Sequence, residues 1–311
     1  MPGTKVSDII VPEVFNPYLI QETTKINAFI ASGIATSDPS VNLTQGGKTV
    51  TIPFFKRVTS SPEVLSDTTA LSVNKITTDK DIAAIHARGI AFSTGDLARL
   101  FSGADPLAAI AGQLGEVWST EFEAVLINTL TGIMGLAGLA DSVNDQSGNV
   151  LTADMMADSM FLLGDNYSKI SAVAFSSAVL AKLKKLDLIS YIQPSTLTDG
   201  YYTYMEKRVI VDDALVADDA GNYPIYFFGE GAFAYNENAG LAETETDRDI
   251  LAGEDVITSR RVFTMHPRGV RWIGVPAGET PSNAELATTA NWALAEDRKN
   301  VKIALLKAKV L

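Results

Sequence analysis

A chain of 311 residues, 46% hydrophobic and 20% charged, is long enough for one large domain or two ordinary ones around a substantial core. It has no cysteine, which excludes disulfides, thiolate catalysis and Cys-based metal centres. Its 37 acidic residues against 25 basic ones give a formal net charge of −12, with no Lys/Arg cluster to displace counterions from phosphates, so a nucleic-acid-binding module is not expected.

The N-terminal MPGTKVSDIIVPEVF lacks the basic region and apolar core of a signal peptide. Nowhere does an apolar run reach the roughly 18 residues of a membrane-spanning helix, so no membrane partner is expected. The first 46 residues read as an arm. Ile9, Val14, Phe15 and Tyr18 are scattered, and Pro12 and Pro17 break any long helix. A short helix over 17–32, stopped by Gly33, fits Tyr18, Ile26 and Phe29 on one side; it needs a surface on its own core or on a neighbour. From Lys48 to Val58, Val50, Ile52 and Phe54 alternate with polar residues and Pro53, which marks an edge strand or a bulge. A polar stretch over 59–69 leads to a second strand-like run, 73–92, with Ile76, Ile82, Ile90 and Phe92 in one parity. Two strands around such a tip make a protruding hairpin, marginal in water unless packed on a partner. The apolar residues placed against that partner are Ile9, Val14, Phe15 and Tyr18 on the arm, Val50, Ile52 and Phe54 on the first strand, and Val64, Leu65, Leu71 and Ile76 around the tip.

Asp105-Pro106 is an N-cap followed by proline at the first helical position. Leu107, Ile110, Leu114, Val117, Trp118 and Phe122, then Val125 and Leu130, recur at helical spacing, so a helix is predicted from Pro106 to about Leu130, ending near Gly132 or Gly135. The middle of the chain alternates element types. Thr152 caps a helix through Met160 and Leu163, Ile170–Phe175 is a strand, and Ser176 caps a helix over Ala178–Leu186. Lys182, Lys184 and Lys185 form the longest basic group, read as a solvated face. Strands follow at Arg208–Val211 and Pro224–Phe228, with an acidic turn between them. Asp255–Met265 alternates, 266–269 turns, and Val270–Val275 continues as a strand. Pro281-Ser282-Asn283 opens a short helix toward Trp292, and Lys299–Leu311 closes the chain as a strand.

Chemistry-bearing patterns are sparse. His86 and His266 are the only histidines, no G-x-S-x-G accompanies them, and both read as structural. Gly229-Glu230-Gly231 lacks the third glycine of a dinucleotide loop and reads as a turn or close-packing site. The acidic stretch Glu243, Glu245, Asp247, Asp249, Glu254 and Asp255 lacks EF-hand spacing, and a solvated loop, or one pairing with arginines such as Arg260 and Arg261, is favoured over a cation site. Trp118, Trp272 and Trp292 sit in apolar stretches and read as core. No catalytic, cofactor or metal residue is assigned.

The ordered set arm, hairpin, long helix, αβ middle and return strands resembles the Hong Kong 97-type fold of tailed-phage major capsid proteins, an α+β class. The segments that carry the resemblance are VSDIIVPEVFNPYLI, TIPFFKRVTSS, VLSDTTALSVNKITT, SGADPLAAIAGQLGEVWSTEFEAVLINTLTG, KRVIVDD, FFGEGAFAY and RRVFTMHPRGVRW. The resemblance covers nearly the whole chain. It implies an N-terminal arm at 1–46, an E-loop hairpin at 47–92, a P domain with its spine helix at 93–150, an A domain at 151–254 and P-domain return strands at 255–311. It implies pentamers and hexamers in an icosahedral shell around double-stranded DNA, in the virion and assembled in host cytoplasm. Portal and scaffolding proteins, and optionally decoration proteins, are the implied partners. Since the sequence starts directly at the arm, a separate scaffolding protein is expected. Lys56, Lys75 and Lys80 lie on or near the hairpin, but no covalent Lys–Asn cross-link is expected from them. Two alternatives remain: an encapsulin-like nanocompartment shell, which shares the fold, and an acid/base hydrolase using the acidic stretch.

Overall fold

The computed structural model describes residues 29, 32–39, 41, 47–56, 61–65, 67, 70–96, 106–193, 200–238 and 244–310. The helix expected over 17–32 therefore lies outside the described residues, apart from Phe29 and Ser32, and so does the cap at Asp105. The first elements are β1 (Ala35–Ser37), β2 (Thr49–Phe55), β3 (Thr78–Ala84) and β4 (His86–Gly95). β2 and β3 pair antiparallel as a two-stranded ribbon, with Thr49 opposite Ala84 and Phe55 opposite Thr78. Pro53, which has no N–H to donate, sits on this ribbon's edge strand. The run expected as one strand from Val73 to Phe92 is interrupted. Residues 71–77 carry no regular structure, and the chain leaves the ribbon at buried Ile85, whose N–H donates to the Lys48 carbonyl. The covered positions change from 79, 81 and 83 in β3 to 86, 88, 90, 92 and 94 in β4, a shift that the single parity of Ile82, Ile90 and Phe92 does not reveal.

The long helix α1 spans Pro106–Met134 and so passes the expected end at Leu130. At 29 residues it is about 43 Å long. Leu114, Trp118, Phe122, Val125, Leu126 and Leu130 are buried along it, while Val117 is exposed. Gly132 does not stop the helix. It lets the backbone approach the Leu286 carbonyl and the Trp292 ring, whose Nε1 would stand 2.8 Å from a Cβ at that position.

The middle of the chain contributes β5 (Val143–Val150), α2 (Ala153–Met160), β6 (Ile170–Phe175), α3 (Ser177–Lys185), β7 (Ser190–Ile192), β8 (Tyr201–Tyr204), β9 (Lys207–Val211) and β10 (Asn222–Gly229). Thr152 caps α2 through its side chain, which accepts from Met155 N. A 3₁₀ stretch over Phe161–Lys169, with Gly164 at positive φ, replaces the expected continuation of α2. Ser176 stands at the N-cap position of α3 but makes no side-chain cap. Asp213 supplies it from 36 residues downstream, Oδ1 accepting from Ser177 N at 2.8 Å.

The last part holds β11 (Phe233–Asn238), β12 (Thr244–Asp249), β13 (Glu254–Pro267), β14 (Val270–Trp272), α4 (Asn283–Leu286), β15 (Trp292–Leu294), α5 (Arg298–Val301) and β16 (Ile303–Lys309). His266 and Pro267 belong to β13 instead of the turn, which is made by Arg268 and Gly269 at φ +83°. β14 stops at Trp272, short of Val275. α4 carries a capping box, Ser282 with Glu285, and ends before Trp292. The final strand starts at Ile303, after Lys302 in the left-handed region closes α5.

Two large sheets organise these elements. One runs β5-β16-β10-β6-β9-β8-β7; the other runs β1-β11-β13-β12, with β4 on the opposite side of β13. One hydrophobic core joins α1 to β11, β13 and one face of β10 and β16, and a second lies under α2 and α3 on the other face of the seven-stranded sheet. Each sheet is thus covered by helices whose apolar stripes match its pleat.

Candidate assembly surfaces

The ribbon is firmly rooted and openly exposed beyond its root. Asp79 and Asp81, two residues apart in β3, face the same side of the strand. Buried Asp81 lies 2.8 Å from His266 Nε2 and accepts from Gly269 N at 3.2 Å. Asp79 pairs with Lys56 across the ribbon at 3.0 Å and with Arg271 at 3.3 Å. The hydrogen bond from Lys56, and then the Lys80 N–H, hold its carboxyl down at about 2. Lys48 reaches Glu279 at 2.9 Å. Behind the root, half-buried Arg88 of β4 contacts Glu121 on α1 at 2.9 Å, Pro281 O at 2.7 Å and Asn283 Oδ1 at 3.2 Å.

Along the ribbon, Val50, Ile52 and Phe54 share one half-buried face, and Phe55 turns outward. In the loop beyond, Val64 and Val73 are each 95% exposed, Leu65 81% and Ile76 67%, and Leu71 is exposed as well. Glu63 accepts from Ser72 N at 3.0 Å and ties the two sides of this loop, which keeps the Glu63 carboxyl below its ordinary range. A rooted element that presents several large apolar side chains to water is a feature of surfaces that meet a partner. Ile9, Val14, Phe15 and Tyr18 lie outside the described residues. Phe29, at the end of the arm, packs edge-on against Phe228 in the chain's own core.

The remaining candidates sit in structural roles. His86 is buried against Phe263, and burial, aided by the Arg88 and His266 charges, pushes its pKa down to about 3. Gly229-Glu230-Gly231 is the turn from β10 to β11, with Gly229 N donating to Lys302 O and Lys302 Nζ reaching Glu230 O. A Cβ at Gly229 would meet Lys302 Cβ at 2.9 Å. The acidic stretch is strand, not loop. Glu245 pairs with Arg260 at 2.7 Å, and Arg248 bridges Asp255 at 2.6 Å and Asp96. Glu243 lies outside the described residues, and among those described no three His, Asp or Glu side chains gather to hold a metal. Arg261 is buried between the rings of Trp118 and Phe122 and faces Glu237 at 3.2 Å, so its partner is not in the acidic stretch. Trp118 donates to Ser259 Oγ, Trp292 donates to Leu286 O, and Trp272 packs edge-on against Trp292. Lys184 lies over the Tyr202 ring at 4.1 Å, so the basic face of α3 is only partly free in solvent. The residues that sequence reasoning passes over are Asp79, Asp81 and Arg88. Their available signal is two aspartates on one face of a strand otherwise rich in apolar residues.

Residues 47–302 match the family described as Gp13-like, major capsid protein 13-like. The major capsid protein of Bacillus phage SPP1 is 37% identical over 322 residues, spanning all of this chain and 99% of that protein. The fold is similar to that of the cyanophage Pam1 capsid, with TM-score 0.56 at 10% identity and 86% of each chain covered. A comparable likeness extends to the capsid of a native GTA particle, at TM-score 0.56 with 12% identity over 85% of this chain and 86% of that one. The SrpI encapsulin of Synechococcus elongatus shares the fold at TM-score 0.52 with 10% identity, over 76% of this chain and 79% of that one. At such identities these structures speak for the fold alone, whereas the sequence matches point to phage shells. With its long helix against a β13-centred sheet, its rooted ribbon and these matches along nearly its whole length, the chain belongs to the Gp13-like family of phage major capsid proteins and has the Hong Kong 97-type fold.

Proposed function

We propose that copies of this chain join as pentamers and hexamers into a closed icosahedral shell around double-stranded DNA. Each ribbon lies on a neighbouring subunit, and the arm residues Ile9, Val14, Phe15 and Tyr18 reach a neighbour too. Portal and scaffolding proteins take part, and assembly proceeds in host cytoplasm. The role is structural, without catalysis. DNA is contained, not read: a net charge of −12 repels phosphate instead of binding it. The observation that carries this reading is the ribbon loop, where Val64 and Val73 stand 95% exposed on an element whose root is pinned by Asp79 and Asp81. A monomer gains nothing from fixing apolar side chains in water, whereas a lattice buries them at about 25 cal/mol per Å².

The test is electron microscopy of the purified protein across a concentration series. Shells, tubes or capsomers are expected. A monodisperse monomer at high concentration, with the ribbon folded back on its own subunit, would overturn the reading.

A further inference from the structure

The seven-stranded sheet has two chemically opposite ends. Strand β9 runs parallel to β6, with Ala172 opposite Arg208 and Phe175 opposite Val211, so the ends of the sheet are marked by residues 207–208 and 211–213. They lie about 17 Å apart at ordinary strand rise. Helix α3 leaves the second end at Ser177, where Asp213 caps it, and returns to the first end at Lys185.

The first end is basic and apolar. Lys182, Lys184 and Lys185 close α3 there and Lys207 and Arg208 open β9, with Asp187 and Glu206 among them; further along the same end Lys169 and Lys302 stand beside Glu230. Leu186 and Met205 are exposed among them. The second end is acidic and apolar. Asp212, Asp213, Asp218 and Asp219 occur with no Lys or Arg anywhere between 211 and 222, and Val216 stands 69% exposed in their midst. Lys307 and Asp145 sit beside Asp218, Lys309 lies opposite Asn222, and Glu123 of α1 faces Asp212, where burial and that neighbouring charge raise its carboxyl to about 7. The end therefore remains predominantly acidic.

We infer that the basic end of this sheet in one subunit docks on the acidic 212–219 turn of the next copy, head to tail, around each capsomer. Like ends cannot meet, because their charges repel; unlike ends attract and bring Val216 against Leu186 and Met205. Such a heterologous contact closes into a ring when its rotation divides a full turn. The inference rests on the shell-forming reading above and names one contact that would build the capsomer.

The absence of cysteine makes the test clean. Val216→Cys and Leu186→Cys chains are assembled separately and as a mixture, oxidised, and run on non-reducing gels. The expected result is a dimer band in the mixture only. The doubly substituted chain gives a ladder that ends at the pentamer or hexamer. Shells without that band, or a band from the Val216→Cys chain alone, would overturn the contact. If the unsubstituted chain, run in parallel, forms no shells, the failure belongs to the shell reading itself. Charge reversal checks the same contact without cysteines. Lys185→Glu or Asp219→Lys alone is expected to lower assembly yield about tenfold, and the two together to restore it. No rescue in the double variant would also contradict the inference.

Discussion

The sheet beneath α1 and the β2–β3 ribbon use the same residue types to opposite ends. Under α1, Phe122, Val125, Leu126 and Leu130 meet Phe228, Phe233 and Phe263 and are shut away from water. Phe122 packs edge-on against Phe263 at 4.5 Å, and α1 comes so close to α4 and β15 that only glycine fits at position 132. On the ribbon, Val64, Leu65 and Val73 have water as their neighbour, although ion pairs fix the root that carries them. Apolar residues in the first region decide whether one subunit folds; in the function proposed above, those in the second decide whether subunits join.

Substitutions should separate the two. Phe122→Ala removes a ring from the interdigitated core and should lower unfolding free energy by about 3–5 kcal/mol in urea melts. Gly132→Ala drives a methyl into the Leu286 carbonyl and the Trp292 ring, and should cost about 3 kcal/mol or more by the same measurement. Asp81→Ala leaves His266 and the Gly269 N–H without their buried partner. It should cost about 1–3 kcal/mol and speed hydrogen exchange in 78–84 before the rest of the sheet.

Acid should act through the core before the ribbon. His86 is held neutral to about pH 3, so below its ordinary 6.5 the unfolded chain takes a proton that the folded one refuses. Stability should fall as pH drops from about 6.5 toward 3, by at most about 1.4 kcal/mol per pH unit from this group. Asp79 behaves differently. Its folded value of about 2 lies below the usual 3.8, so its support is whole above that value and fades as pH falls toward 2. His86→Gln should flatten the slope between pH 6.5 and 4; an unchanged slope would assign it to other groups. The smallest effect on folding is expected from Val64→Ser with Leu65→Ser. These should change stability by about 0.5 kcal/mol or less, since neither side chain is covered, yet sharply reduce shell yield.

Much of this was legible in the chain. Pro106 and the apolar period give away α1, and Thr152 announces α2, because helix signals are local. The ribbon's first strand shows through the alternation of Val50, Ile52 and Phe54. What escaped depends on distant partners. The break at Ile85 exists because β4 finds β13 some 170 residues downstream, and β5, a polar strand, is held at the sheet edge by β16. The cap of α3 comes from Asp213, not from the serine beside it. On the ribbon, the sequence names the apolar residues near the tip, which stand exposed, but not the Asp79 and Asp81 pair that anchors the root.

The most direct measurement places a single thiol on the ribbon of this cysteine-free chain. In Val73→Cys, the free subunit should react with a thiol reagent as fast as an open peptide, since that side chain is 95% exposed. In assembled shells, reaction should slow by at least about tenfold, in line with a side chain covered by a neighbour. Equal reactivity in both states would mean that the ribbon tip stays in water after assembly and would contradict the account.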